Sequence, residues 1–248
     1  MVTAQAEIAA PEDERGPSPL ALLFAPDRGM ERQARVGRAR WLVLFAWLCS
    51  LLLGAALALR VDAASSTLRK FEMSGQLQGA SDRQLADETR NAERVFEVVS
   101  IGKGAVWVPI ELGLVCLAVV ALVWFFRGRL KGSAVGPVAA ATLLPEALAN
   151  LLDAVTAFRH EALPPEGIPL VPRTLAAILA LAGRPLMDPR WIKLCGAFDV
   201  FSLWAAVMLG FGVAAAGKVP RRTAVLGTLV AWVCYRLLTQ VAMAATGG

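Results

Sequence analysis

Histidine, tyrosine and cysteine are scarce in this chain. Its 248 residues include one His, one Tyr and four Cys. No two Cys have the C-x-x-C spacing of a metal or redox motif, and His160 has no partner at metal-ligand spacing. We therefore expect no metal site, no cofactor and no disulfide framework. Each cysteine falls within or beside an apolar segment and is interpreted as a small hydrophobic residue: Cys49, Cys116, Cys195 and Cys234.

Catalytic motifs are also absent from the sequence. The G-x-S-x-G, H-E-x-x-H and P-loop patterns do not occur. Glu146 and Asp153 are a pair of carboxylates, but the second Asp motif expected of an intramembrane aspartyl-type hydrolase is missing. The sequence therefore predicts a protein that is not an enzyme.

Long hydrophobic runs are what the chain has in abundance. Hydrophobic residues make up 56% of it, against roughly 45–50% in soluble proteins. A helix of about 20 apolar residues spans the hydrocarbon core of a bilayer. The sequence thus predicts an all-α, polytopic transmembrane helix bundle with five spans: Trp41–Leu59, Ala105–Phe126, Ser133–Phe158, Leu194–Gly217 and Thr223–Thr246. A sixth apolar segment, about 170–184, is too short to cross and is expected to be re-entrant or interfacial.

The positive charges predict the topology. There are 25 basic and 20 acidic residues, and the basic ones cluster beside apolar runs, which favours a role in topology over nucleic-acid binding. Five spans place three short basic clusters on one side, in 28–40, 127–131 and 218–222. Because cytoplasmic loops are enriched in Lys and Arg, we expect a cytoplasmic N-terminus and an external C-terminus. The excess of Arg over Lys suggests a high-GC bacterium, and hence an inner membrane.

Outside the spans, the sequence predicts segments of different character. Residues 1–19 are polar and proline-rich, which predicts a disordered cytoplasmic tail. Residues 20–40 form an amphipathic cytoplasmic segment, or else a plain positive-inside anchor for the 41–248 bundle. In the amphipathic interpretation its apolar side chains lie in the inner headgroup layer: Leu20, Leu22, Leu23, Phe24 and Met30.

Two external loops are expected, at about 60–104 and 159–193. Within the first, Asp82–Ile101 is predicted to be helical, with Ser81 as its N-cap. The second is rich in proline, which predicts an ordered but irregular loop.

Polar side chains inside the predicted spans are the candidate site. They are Glu111, Glu146, Asn150, Asp153, Asp199, Arg236 and Gln240. Glu146, Asn150 and Asp153 share one helix face, just after a predicted kink at Pro145. In a structural interpretation, Arg236 neutralises Asp199 or Glu146, while Asn150 and Gln240 hydrogen-bond across helices. In a functional one, the surplus of acids over Arg236 marks a solute, lipid or ion site.

Small residues spaced four apart predict close helix packing. They occur as Gly54-x-x-x-Ala58, Gly210-x-x-x-Ala214 and Gly212-x-x-x-Ala216. Such positions allow two helix backbones to approach one another.

A sequence motif in the last two spans carries a family resemblance. Asp199, Phe201 and Trp204 form an Asp-x-Phe-x-x-Trp run, followed by Gly210, Gly212 and the basic turn 219–222. This pattern, with the N-terminal Leu-Leu-Phe-Ala-Pro of residues 22–26, resembles bacterial Yip-type integral membrane proteins. The resemblance implies an accessory or scaffold subunit of a membrane complex such as an ABC exporter. The alternative is a small transporter of a solute, lipid or ion that uses the intramembrane charges.

Overall fold

The structure is a computed structural model that describes residues 17–73, 81–163, 171–184 and 186–245. These residues are 83% helical and contain no β-strand, which confirms the all-α prediction. Most of the predicted tail, 1–16, lies outside the described residues. In chain order the helices are α1 (Pro19–Phe24), α2 (Pro26–Val36), α3 (Arg40–Arg60), α4 (Ala63–Met73), α5 (Asp82–Phe125), α6 (Gly132–Thr142), α7 (Leu144–Arg159), α8 (Leu175–Leu181), α9 (Pro189–Gly196), α10 (Val200–Gly217) and α11 (Arg221–Ala245).

Five helical segments are long and apolar enough to cross a membrane. They are α3, α5, α6 together with α7, α10, and α11 up to Ala242. The prediction of five spans is therefore confirmed, as in a multi-pass membrane protein. Helix α8 has only 7 residues, about 10 Å at 1.5 Å per residue, and cannot cross.

The third span is broken where proline predicted a kink. Helix α6 ends at Thr142, Leu143 lies between the helices, and Pro145 occupies the first turn of α7. Proline lacks the N–H that a continuous helix would need there, so a new helix starts at this point. Glu146 follows in the first turn of α7.

Within the segment 60–104, the predicted helix over Asp82–Ile101 is confirmed, and α4 is a second helix that was not predicted. Helix α4 occupies part of it, and α5 runs unbroken for 44 residues from Asp82 into the membrane span. As predicted, Ser81 caps α5: its hydroxyl accepts the N–H of Gln84, whose side chain accepts the N–H of Ser81. This reciprocal pair is a capping box.

Glycines set how α3 and α5 align. A Cβ at Gly54 would lie 2.6 Å from the carbonyl oxygen of Ser100, and one at Gly104 would lie 2.7 Å from that of Ser50. The helices are thus antiparallel, and the end of α3 at Arg60 is level with about position 94 of α5. The first 12 or so residues of α5 therefore extend about 18 Å beyond α3, with α4 packed beside them.

The other small-residue motifs also lie at close contacts. Gly210 faces Val225 of α11, and Gly212 faces Val138 of α6. Val138 and Val213 belong to the largest buried cluster, which joins α5, α6 and α10. The prediction that these glycines permit close packing is confirmed.

The segment 20–40 is part of the bundle, which corrects its placement in the headgroup layer. Leu22 and Met30 are 0% exposed and pack with Ala141, Leu144 and Met208. The amphipathic pattern was right, but the apolar face of α1 and α2 meets protein. Of the five apolar residues predicted to face the headgroup layer, Leu20 and Phe24 are exposed.

The predicted irregular loop 159–193 contains two short helices, α8 and α9. The following span begins at Val200, six residues later than the predicted Leu194. Asp199 therefore lies at the end of this span, and residues 195 and 196 belong to the separate helix α9.

Candidate functional site

One arginine holds three acidic side chains together near the N-terminus of α10. Arg173 Nε lies 2.9 Å from Asp199 Oδ2, and Arg173 Nη1 lies 3.4 Å from Asp153 Oδ2 and 3.9 Å from Glu146 Oε1. We call Arg173, Glu146, Asp153 and Asp199 the Arg173 cluster. The guanidinium therefore forms ion pairs with carboxylates of α7 and of the residue before α10, although its Nη1 makes no hydrogen bond within the described residues.

Asp199 is fixed by the start of α10. Its Oδ1 accepts the N–H groups of Phe201 at 2.7 Å and Ser202 at 3.1 Å, as an N-cap does. Its Oδ2 remains for Arg173. The same carboxylate therefore starts the helix and anchors the arginine.

Backbone hydrogen bonds place Arg173 beside Asp199. The N–H of Val200 donates to the carbonyl of Arg173 at 3.0 Å, and that of Leu175 donates to the carbonyl of Phe198 at 2.9 Å. Thr174 and Asp199 form an isolated antiparallel bridge. The segment before α8 is thus paired with the segment before α10. This backbone pairing, and not only the attraction of opposite charges, holds Arg173 beside Asp199.

Asp153 ties the same segment to α7. Its Oδ1 accepts the N–H of Val171 at 3.1 Å, while its Oδ2 faces Arg173. Its side chain is 10% exposed and that of Glu146 is 30% exposed. Glu146 and Asp153 lie on one face of α7, as predicted, and both point to Arg173.

Arg236 forms no ion pair within 4.0 Å with Glu146 or Asp199, the two acids that it was expected to neutralise. Its guanidinium lies 5.8 Å from the ring centroid of Trp232, a cation–π arrangement. Trp232 in turn packs edge-to-face on Phe198, with centroids 5.7 Å apart. Arg236 is near enough to interact electrostatically with Glu146. Its Nε is buried and has no hydrogen-bond partner among the described residues.

The remaining candidate residues are Glu111, Asn150 and Gln240. Glu111 of α5 interacts electrostatically with Glu146. Asn150 of α7 and Gln240 of α11 are half-buried, and neither side chain hydrogen-bonds to the part of the chain that the structure describes. The proposed hydrogen bonds between helices through these two amides are therefore not made there.

Sequence reasoning missed Arg173. It lies within the short segment of about 170–184, outside every predicted span. The signal that could have found it was the surplus of acids in the spans, since buried carboxylates require a cation. Which cation serves depends on the tertiary fold, and the spacing of residues along the sequence does not reveal that.

The formal charges near the cluster leave a negative surplus. Four acids, Glu111, Glu146, Asp153 and Asp199, face two arginines, Arg173 and Arg236, giving −2. In the described part of the chain, no group of three or more His, Cys, Asp or Glu side chains has the arrangement to hold a metal ion. The ion pairs of the cluster can hold α7 and α10 together, and its surplus negative charge can attract a cation from water.

Fold and site together define a five-span, all-α membrane protein with an arginine–carboxylate cluster that joins α7, α10 and the segment 171–174. Comparisons of the chain with protein-family models, with curated proteins and with solved structures found no match.

Proposed function

We propose that this chain is a non-enzymatic protein of a bacterial inner membrane and serves as an accessory or scaffold subunit of a larger membrane complex. The observation that carries the proposal is the hairpin of α4 and the first turns of α5, which we call the projecting hairpin. It extends beyond α3 as a helical rod, and most side chains of 82–94 are exposed. An ordered rod that leaves the bundle offers a surface to another protein.

The Arg173 cluster supports a structural role for the intramembrane charges. Glu146 and Asp153 are joined through Arg173 rather than arranged as a pair that shares a proton. The contacts fasten segment 171–174 to two spans. Charges used in this way stabilise one arrangement of helices, as a scaffold requires.

The packing at the other end of the bundle supports the proposed orientation. Arg129 and Lys131 donate their N–H groups to the carbonyls of Gly217 and Ala216, at 2.7 and 2.8 Å. The basic turns 127–131 and 218–222 therefore lie side by side, and we call this the basic end. By the positive-inside rule it faces the cytoplasm, which puts the N-terminus inside and the C-terminus outside.

The family resemblance suggests which complex to look for. Yip-type proteins include members that resemble accessory subunits of ABC exporters, and the motif residue Trp204 contacts Phe24 of the N-terminal part of the resemblance, with ring centroids 6.5 Å apart. We therefore propose an exporter as the partner complex.

Photo-crosslinking from the projecting hairpin tests the scaffold role. A photoreactive amino acid at Asn91, exposed on α5, should capture a membrane-complex subunit in native membranes. A matched probe at Ser133, exposed at the basic end, should not capture the same subunit. Recovery of the chain alone in mild detergent, with no product from either site, contradicts the proposal.

A small cation transporter is the second candidate. It is favoured by the negative surplus of the cluster and by Glu146, whose contact with Arg173 is the longest at 3.9 Å. In proteoliposomes, Glu146→Gln should then abolish proton or sodium flux while the protein stays folded. Equal flux in liposomes with wild-type protein and in empty liposomes removes this candidate.

A further inference from the structure

A cavity of about 360 Å³ lies at the basic end, between α2, the turn before α6, and the C-terminal end of α10. Its size is in the range of small-molecule sites. It is lined by charged side chains around an apolar floor formed by Phe211, Ala214 and Ala215. A cavity with this composition, at the level where a span ends, lies where lipid headgroups meet acyl chains.

Four of the six charged residues lining the cavity neutralise one another. Glu31 accepts from Arg35 and from Arg221, each at 3.0 Å, and Arg221 also lies 3.7 Å from Asp27. These contacts hold α2 against the start of α11. They leave no net charge, because two acids face two arginines.

The two lysines of the cavity are different. Lys131 and Lys218 line it, and neither has an ion-pair or hydrogen-bond partner for its side chain within the described residues. They are held near each other by the backbone bond from Lys131 N–H to Ala216 O. Lys218 is also in the left-handed conformation, with φ 52°, which turns the chain sharply at the end of α10.

We propose that this cavity binds an anionic phospholipid. Its phosphate lies between Lys131 and Lys218, and one acyl chain covers Phe211, Ala214 and Ala215. The cavity has a formal charge of +2, from four cations and two anions, and both uncompensated charges are ammonium groups, which bind phosphate as point charges. Basic pockets between transmembrane helices on the cytoplasmic side take anionic headgroups in this way. The inference does not depend on the scaffold role.

Native mass spectrometry with dioctanoyl phosphatidylglycerol tests the proposal. The variant Lys131→Gln/Lys218→Gln should bind this lipid roughly tenfold or more weakly, since each basic residue near a headgroup contributes measurably to binding. The control Arg129→Gln/Arg222→Gln removes the same charge from exposed residues of the same end that do not line the cavity. It should bind as the wild type does. Lys131→Arg/Lys218→Arg should restore most of the binding.

Two results overturn the proposal. Equal loss in the cavity variant and the control shows general attraction of anionic lipid to a basic surface. Glycerol phosphate that binds as tightly as the lipid shows a free-phosphate site in which the apolar floor has no role. Both lysines are exposed, and the lipid-free unfolding temperatures of all variants should match. If the double variant is less stable, each single lysine variant should still show an intermediate loss.

Discussion

Arg173 pairs with Asp199 through its side chain and with Val200, the residue after Asp199, through its backbone carbonyl. The guanidinium Nε lies 2.9 Å from the Asp199 carboxylate, and the carbonyl of Arg173 accepts the N–H of Val200, the first residue of α10. Asp199 also caps that helix. These contacts therefore link the start of α10 to the segment before α8 and to the charged side chains of α7.

Substitutions at Asp199 should separate its two roles. Asp199→Asn keeps an oxygen that can cap α10 but loses the ion pair, whereas Asp199→Ala loses both. We expect the alanine variant to be less stable than the asparagine variant by about 1 kcal/mol, the usual contribution of an N-cap. Thermal unfolding in detergent measures the difference. Equal unfolding temperatures for the two variants would show that the cap contributes nothing here.

The contacts of Arg173 should differ in strength. Arg173→Gln leaves three carboxylates without their cation, and we expect a loss of about 2 kcal/mol, less than for a fully buried pair because the side chain is partly exposed. In double-mutant cycles, Arg173 should couple more strongly to Asp199 than to Glu146, since the distances are 2.9 and 3.9 Å.

The matched control for these cycles is Arg159→Gln, an exposed arginine at the end of α7. It should leave the unfolding temperature close to that of the wild type. A larger coupling to Glu146 than to Asp199 would contradict the geometry of the cluster.

The spans were predictable because their signals are local. Apolar run length predicted five crossings, Pro145 predicted the break in the third, and Ser81 predicted the start of α5. Arg173 was not predictable in this way, because its partners come from two other helices. Hydropathy placed Asp199 inside a span predicted to start at Leu194, near its outer end, whereas Asp199 is the N-cap of a span that starts at Val200.

Glycine variants should distinguish close helix contacts from open ones. Gly54→Ala places a methyl group 2.6 Å from the carbonyl oxygen of Ser100, so α3 and α5 must move apart at a cost of about 1–3 kcal/mol. A Cβ at Gly102 would have no neighbouring atom within 4 Å. The Gly102→Ala protein should therefore be as stable as the wild type or more stable, because Ala favours helix. Unfolding temperatures of the two variants give the test, and a Gly54→Ala protein as stable as Gly102→Ala would disprove the close contact.

The N-terminal helices show a second limit of sequence reasoning. The pattern of Leu22 and Met30 identified an apolar face, but a face of that kind fits lipid and protein equally well. Hydrophobicity is the same signal for both environments in a membrane protein. The apolar face of α1 and α2 is buried because it packs against α6 and α10, and this contact is visible only in the tertiary structure.

Leucine variants within α1 test that burial. Leu22 is 0% exposed and Leu20 is 66% exposed. Leu22→Ala should cost about 2–5 kcal/mol of local packing, so α1 and α2 detach more readily. Hydrogen exchange of 19–36 should then accelerate in Leu22→Ala and stay near the wild-type rate in Leu20→Ala. Equal protection in both variants would place the apolar face of α1 in lipid instead.

Cysteine labelling tests the proposed orientation directly. Asn91→Cys lies on the projecting hairpin and Ser133→Cys at the basic end, both at exposed positions, in a background with Cys195 and Cys234 replaced by Ala. In spheroplasts, a membrane-impermeant maleimide should label Asn91→Cys only, because the positive-inside rule puts the basic end in the cytoplasm. After lysis both sites should react, which controls for accessibility. Labelling of Ser133→Cys in intact spheroplasts would reverse the topology and place the lysine-lined cavity on the outer surface.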